Sequence, residues 1–259
     1  MPINNTMGRI RAQKYRVFAF LFILIGIVFW ELSVRALKIN IFVLPPPSSI
    51  ISAFFAKGPF IFLGHLWVTT AESVAGFLLG TGVGFGLAIV LTYSAFFRNA
   101  FTPILVYIQT VPKIALAPII VVWFGLGFSS KLVITFLLVF FTQMVNSMAG
   151  MLIASEMECL ARSFKASKWQ IMRGIRIPHS LPSTFAGMKI GATLAVIGAV
   201  VAEFVGSEAG LGWLIMTFQQ YLDMPSMFVA ILLLGALGYV FFQAIAQAEK
   251  IAIPWYLHT

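Results

Sequence analysis

Seven polar side chains inside long apolar runs are placed to handle a solute: Glu72, Gln109, Thr110, Lys113, Gln143, Asn146 and Glu203. A charged side chain at the centre of a membrane helix costs about 2.5–3.5 kcal/mol on insertion scales, so such groups turn towards a bundle interior. Lys113 sits between Pro112 and Pro118, where a broken helix can open its backbone to a cavity. An anionic solute would favour Lys113 as its contact. A neutral heterocycle would favour Gln143, Asn146 and nearby aromatic rings. For Glu72, Lys113 and Glu203 a structural ion pair, or snorkelling to an interface, explains the residue equally well.

The residues of bond-making chemistry are missing. The chain has no G-x-x-x-x-G-K-[ST] phosphate loop, no HExxH, no GxSG and no paired-aspartate signature. Cys159 is its one cysteine, which excludes an intrachain disulfide and argues against thiolate metal sites. His65 and His179 read as loop residues with no second ligand at metal spacing. These observations point away from an enzyme.

A second cluster is the polar interruption 155–182, which carries five of the 17 Lys+Arg residues between two apolar runs. Met157, Leu160, Ala161 and Phe164 recur at helical spacing, with Glu158, Arg162 and Lys165 on the other face. Ser167 and Gln170 have capping-box spacing and predict a second short helix. That helix is expected to end near Gly174, with Pro178 and Pro182 stopping any continuation. The spacing predicts a helix–turn–helix along the membrane surface with Phe164 and Trp169 near its bend. It would transmit displacement and present an apolar face to a soluble partner, or lie on anionic lipid.

The elements that position these residues are membrane spans. The chain of 259 residues is 60% hydrophobic and 10% charged, with mean hydropathy +0.98, against about 25% charged in soluble domains. Six apolar runs, about 17–34, 67–93, 101–124, 132–153, 185–205 and 226–248, are each long enough to cross about 30 Å of hydrocarbon. An all-α polytopic membrane protein follows. A cytoplasmic segment 1–16, a transmembrane domain 17–250 and a tail 251–259 divide the chain. Pro45-Pro46-Pro47 leads to a short interfacial helix that Ser49 would cap and that would end near Gly58. Gly76, Gly80 and Gly84 have small-xxx-small spacing for close approach to another helix, of this chain or of a partner.

The net charge of +9 is distributed at run ends, with no separate basic domain for nucleic acid. Arg9, Arg11, Lys14 and Arg16, Arg98, the loop cluster, Lys189 and Lys250 fall on one side. Arg35, Lys38, Lys57 and Lys131 fall on the other. Positive charge marks the cytoplasmic side, so both termini are expected there.

The loop resembles the EAA loop of binding-protein-dependent ABC importer permeases, whose pattern is E-A-A, three residues, G, nine residues, I-x-L-P. Ala161 falls on the second alanine and Ile175-Arg176-Ile177-Pro178 on the end of the pattern. Cys159 stands at the glutamate, Leu160 at the first alanine and Lys165 at the glycine, which removes the licence for positive φ at the turn. Glu156 or Glu158 would supply the acidic group. Leu44-Pro45-Pro46-Pro47, Pro112 to Pro118, Trp123-Phe124-Gly125, and Ala202-Glu203-Phe204 followed by Gly210-Leu211-Gly212 are similar to the nitrate, sulfonate, taurine and thiamine-pyrimidine branch. Residues 189–201 most resemble members handling pyrimidine precursors of thiamine.

The resemblance implies a type I importer permease fold in the inner membrane. It implies a homodimer that pairs with two ATPase subunits and receives its solute from an extracytoplasmic binding protein. ATP and magnesium would bind at the partner, and no cofactor at this chain. Glu158, Leu160, Ala161, Phe164, Lys165, Ala166 and Trp169 would couple to the ATPase. Gln109, Lys113, Gln143, Asn146 and Glu203 would line the passage, with Glu203 near its outer end able to gate the path or meet the binding protein. The solute would be a thiamine-precursor pyrimidine or a sulfonate- or nitrate-like anion. An ion-coupled secondary transporter is the alternative; it would want inverted repeats with matched buried carboxylates, and no such repeat is visible.

Overall fold

The computed structural model describes residues 4–152 and 155–255. The extreme ends of both expected terminal segments, Ile153 at the end of the fourth run, and the side chains of residues 4–17, 19, 20, 95, 106, 155 and 156 lie outside the described residues. Everything described is helix, turn or short connection, with no strand among the described residues.

One compact unit comprises residues up to Pro59 together with Thr217–Val229. Its first helix, α1 (Asn4–Ala36), carries the first apolar run and extends back through the basic segment. Helix α2 (Pro47–Lys57) begins at Pro47, two residues before the expected cap. Proline is suited to the first helical position because its missing N–H would be unsatisfied there anyway. Ser49 does not cap; its hydroxyl donates to the Pro46 carbonyl. Glu31 of α1 serves instead, accepting from the Ser48 N–H at 3.0 Å and the Ser48 hydroxyl at 2.8 Å. A carboxylate there complements the positive end of the helix dipole. Gly58 closes α2 with φ +88°.

The second unit, Phe60–Met216 with Ala230 onward, holds the loop and most of the polar residues. In chain order it contains α3 (Pro59–Tyr93), α4 (Ala95–Thr110), a 3₁₀ turn (Lys113–Leu116), α5 (Ala117–Phe124), α6 (Phe128–Leu152), α7 (Ser155–Ser163), α8 (Lys168–Ile171) and α9 (Ile177–Val205). Helix α10 (Leu211–Gln220) and α11 (Met224–Ala252) complete the chain. Four helices are long and apolar enough to cross a membrane among the described residues: α3, α6, the continuous helix Lys168–Val205, and α11. A fifth is present if Phe96–Thr110 and Lys113–Phe124, bent by 76°, form one broken span. Pro112 makes that break, whereas Pro118 sits in the first turn of α5 and is accommodated there.

Helix α6 is the centre of this unit. Lipid tails give apolar helices no hydrophobic reason to associate, so close backbone packing must hold them together. The glycine ladder of α3 meets α6 of the same chain: Gly76 lies on Thr135, Gly80 on Val139 and Gly84 on the Phe140 carbonyl. On another face of α6, Gly187, Gly191 and Gly198 of α9 rest on Asn146, Val139 and Thr135. Phe77, Val139, Ala192 and Ala195 fill the middle, with Phe241 of α11 edge-on to Phe77 at 4.9 Å.

Two sequence expectations need correction. His65 is helical, because α3 starts at Pro59 rather than near Trp67, and His179 lies in the first turn of α9. Pro178 and Pro182 do not stop a helix. The chain passes from α8 through a π-type turn at Met172–Arg176 directly into α9, with Pro178 in its first turn and Pro182 inside it. Proline is tolerated in a first turn, and a π-type turn inserts a residue without ending the helix.

Candidate functional site

Helix α7 has one face fastened and one face open. The fastened face centres on Glu158, whose Oε1 accepts from Arg162 Nη2 at 2.6 Å and whose Oε2 accepts from Arg176 Nη2. Arg176 also donates Nη1 to the Thr92 carbonyl at the end of α3. One carboxylate therefore ties α7 to the root of α9, and through it to α3. Burial pushes the Glu158 carboxyl up, but the hydrogen bonds and charges of Arg162 and Arg176 outweigh it and hold it below the ordinary glutamate range. Glu158 is thus an internal clamp for the helix.

The open face carries Met157, Leu160 and Phe164, which are 61%, 63% and 80% exposed. With Ala161, Ile175, Pro178 and Trp255 they edge a cavity of about 540 Å³ that no described residue fills. Trp169, also exposed, stands just past the bend, and Ala166 is half-buried.

The bend is made despite Lys165. Its N–H donates to the Arg162 carbonyl at 2.9 Å, and the Ala166 N–H donates to the Ala161 carbonyl at 3.1 Å. These two bonds form a Schellman motif, which requires a left-handed residue at the Lys165 position. Lys165 supplies it with φ +59°. The glycine-type geometry is kept with a lysine. Ser167 then starts α8 with both bonds of the expected capping box: Gln170 N–H to Ser167 Oγ at 3.3 Å, and Ser167 N–H to Gln170 Oε1 at 2.7 Å.

The intramembrane polar residues fall into three sets. At the 76° break, half-buried Lys113 donates Nζ to the Gln109 carbonyl at 3.3 Å and lies 5.0 Å from the centre of the Phe141 ring, within cation–π range. In the α6–α9 seam, fully buried Gln143 donates Nε2 to Ser147 Oγ at 2.9 Å and to the Thr184 carbonyl at 3.3 Å. Asn146 donates to the Thr142 carbonyl one turn back and is half-buried. Its neighbour Gly187 leaves no room for a side chain, since a Cβ there would fall 2.8 Å from the Asn146 Cβ.

The third set lies at the end of the unit remote from the loop. Glu203 accepts from Thr69 Oγ1 at 2.7 Å and from the Gly212 N–H. Thr69 Oγ1 in turn accepts from the Leu211 N–H at 2.8 Å, and His65 Nδ1 accepts from the Gly210 N–H at 3.0 Å. The first amides of α10, which lack partners within the helix, are therefore held by two side chains of α3 and one of α9. Gly210 (φ +109°) and Gly212 both lie where a Cβ would run into the Glu203 carboxylate. Beside this set, Lys131 and Glu72 form a buried ion pair at 2.7 Å. Lys131, an outer loop charge by sequence, is thus a buried partner of Glu72, and Thr69, which no sequence pattern marks, is the hydroxyl that Glu203 holds. A glutamate inside an apolar run was the one available signal that a cation partner had to be near.

Comparison with known proteins agrees with this architecture. Residues 80–249 match the family described as the binding-protein-dependent transport system inner membrane component. The chain is 36% identical over 236 residues, 91% of its length and 94% of the relative's, to a formylaminopyrimidine transport permease protein of Halalkalibacterium halodurans. It is 29% identical to a riboflavin transport system permease protein of Chloroflexus aurantiacus, covering 98% of this chain and 97% of that one. It is 25% identical to a taurine transport system permease protein of Escherichia coli, covering 88% and 86%. The family match and these relatives place the chain in the family of binding-protein-dependent ABC transporter permeases, as a multi-pass inner-membrane subunit and not an enzyme.

Proposed function

We propose that this chain forms the membrane passage of an importer for a small organic solute and couples it, through α7, to a separate ATPase. The observation that carries the reading is the split character of α7. Its polar face is pinned by Glu158 to Arg176, while Met157, Leu160 and Phe164 are exposed beside a trough that no described residue fills. Three large apolar side chains on a rigid helix outside the spans suit a groove on a soluble partner. In this reading two copies of the chain pair with two ATPase subunits, which bind ATP and magnesium. An extracytoplasmic binding protein delivers the solute. The basic loop and both termini lie in the cytoplasm, and six spans are made by α1, α3, the bent α4–α5 pair, α6, α9 and α11. Membership of the family leaves the ion-coupled alternative without support.

For the solute, the relative named for formylaminopyrimidine favours a thiamine-precursor pyrimidine over a sulfonate- or nitrate-like anion. Lys113 fits either class. Its ammonium is held against Phe141 at the bent α4–α5 pair, where a planar heterocycle could stack or an anion could pair. Gln109 lies beside it. Gln143, Asn146 and Glu203 act mainly by holding helices in register. The test is copurification and uptake with the assembled transporter. Phe164→Ala should weaken ATPase association by at least about 30-fold, the scale of an interface hot spot. Undiminished association in Phe164→Ala and in Ala161→Asp would remove α7 as the docking element. Competition of labelled formylaminopyrimidine uptake by unlabelled taurine should fail if the pyrimidine reading holds.

A further inference from the structure

A cavity of about 310 Å³ opens on the opposite side of α7 from its apolar trough. Four cations reach it: Arg98 from α4, Arg162 from α7, Lys168 from α8 and Arg176 from the root of α9. Among the described residues one carboxylate, Glu158, faces them, and it is already shared between Arg162 and Arg176. Among the described residues neither Arg98 nor Lys168 has a carboxylate partner. The cavity is therefore strongly positive, and Arg guanidinium groups match the planar pairs of oxygens on a phosphate.

Arg98 is shared with a second hollow. That groove, about 710 Å³, runs past Thr102, Pro103, Met148 and Leu152 and is mostly apolar. On the same helix Phe96, Phe97 and Phe101 are exposed, and Tyr93 just before it is too. Tyrosine gathers at the membrane–water boundary, and Arg98 lies between exposed Tyr93 and the start of the apolar run at Phe101, which sets it near the depth of lipid headgroups. A free phosphate would use the cationic cavity and leave the groove idle. A molecule with a phosphate at one end and a hydrocarbon chain at the other uses both.

We infer that this pair of hollows is a seat for an anionic phospholipid, with its phosphate among Arg98, Arg162, Lys168 and Arg176 and an acyl chain along Pro103, Met148 and Leu152. The bound headgroup would touch the same arginines that fasten α7, so lipid composition would bear on how firmly the loop is held.

The experiment uses the full chain purified in detergent with equal amounts of phosphatidylglycerol and phosphatidylcholine, and native mass spectrometry to read the retained lipid. Wild type should retain phosphatidylglycerol in clear preference. Basic residues near a membrane surface each strengthen binding of anionic lipid, so Lys168→Gln should lower that preference about fivefold, and Arg98→Gln with Lys168→Gln about 30-fold. Lys168 is exposed, so its single variant gives a result even if the double variant misfolds. Lys250→Gln, on α11, should leave the preference unchanged. Equal retention of both lipids by wild type overturns the inference, as does an unaltered preference in Lys168→Gln. An equal drop in Lys250→Gln would show only a general surface charge and also overturns it. Displacement of the lipid by inorganic phosphate or soluble glycerophosphoglycerol at matched headgroup concentration would assign the cavity to free phosphate instead.

Discussion

Replacing Lys165 by glycine should tighten the loop. Lys165 holds φ +59° because the Arg162 and Ala161 carbonyls need the two N–H donors that only a left-handed residue aims at them. An L-residue in that region costs about 1–2 kcal/mol, from crowding of Cβ against the following carbonyl. Glycine has no such cost, but it gives the open chain more freedom to lose, worth about 0.4–1 kcal/mol in the other direction. The net gain is about 0.5–1 kcal/mol, or roughly two- to fivefold in the equilibrium between closed and open bend. Amide hydrogen exchange on the purified chain reads this directly. The amides of residues 165 and 166 should exchange two to five times more slowly in Lys165→Gly, after correction for intrinsic rates. Lys165→Ala is the control: alanine keeps the crowding, so its exchange should stay near wild type. Equal slowing in the alanine variant, or no slowing with glycine, would show that the left-handed conformation is not what limits the bend.

Three further outcomes are expected. Glu158 lies below its ordinary range, so its clamp is fully present above the unfolded-state value near 4.5 and is lost only as pH falls through the lower folded value. Loop protection should be flat from pH 8 to 5 and fall in stronger acid, whereas Glu158→Gln should be weaker and flat throughout; a wild-type transition between pH 6 and 7 would contradict the assignment. Breaking the buried Glu72–Lys131 pair with Lys131→Met should destabilise the chain by about 3–5 kcal/mol, with much of the loss recovered by adding Glu72→Gln, read as thermal unfolding in detergent; no recovery would show that the two residues do not act as a pair. A cysteine placed at Ser48 should react with an impermeant thiol reagent applied to intact cells, while Cys159, exposed on α7, should not; labelling of Cys159 from outside would invert the proposed orientation.

What could be read from the sequence was what is local. The capping box needs only Ser167 and Gln170, three residues apart, and the glycine ladder of α3 needs only its own period; both are present. The partner of that ladder, α6, was not legible, because a small-residue face is equally suited to any close helix. Lysine is a poor left-handed residue, so Lys165 by itself predicts no such bend, but two backbone bonds to carbonyls of α7 outweigh a cost of about 1 kcal/mol. Proline chemistry alone predicts a stop at Pro178 and Pro182, but a π-type turn and a first-turn position accommodate Pro178, and α9 runs on through Pro182.

Glu203 shows the deeper limit. In sequence it is a lone acid near the end of an apolar run, followed after six residues by Gly-Leu-Gly, and a gate, a docking contact and a structural pair are all open to it. The deciding groups are Thr69, 134 residues away, and the Gly212 amide, nine residues on. Once the carboxylate occupies the start of α10, the two glycines follow from it, because any Cβ at Gly210 or Gly212 would displace the oxygens that hold them. The glutamate and the glycines are therefore one device, and a change in either should be felt as movement of α10. Glu203→Gln keeps an acceptor and a similar volume but replaces one of the two acceptors, the one for the Thr69 hydroxyl or the one for the Gly212 N–H, with an amide donor. It should loosen α10 without emptying the space, and Gly212→Ala should do so by pushing the carboxylate aside. If exchange of the α10 amides rises in both variants while the α6–α9 seam stays protected, Glu203 is a fastening of α10. If Glu203→Gln instead abolishes uptake with α10 as protected as in wild type, the carboxylate acts on the solute path itself.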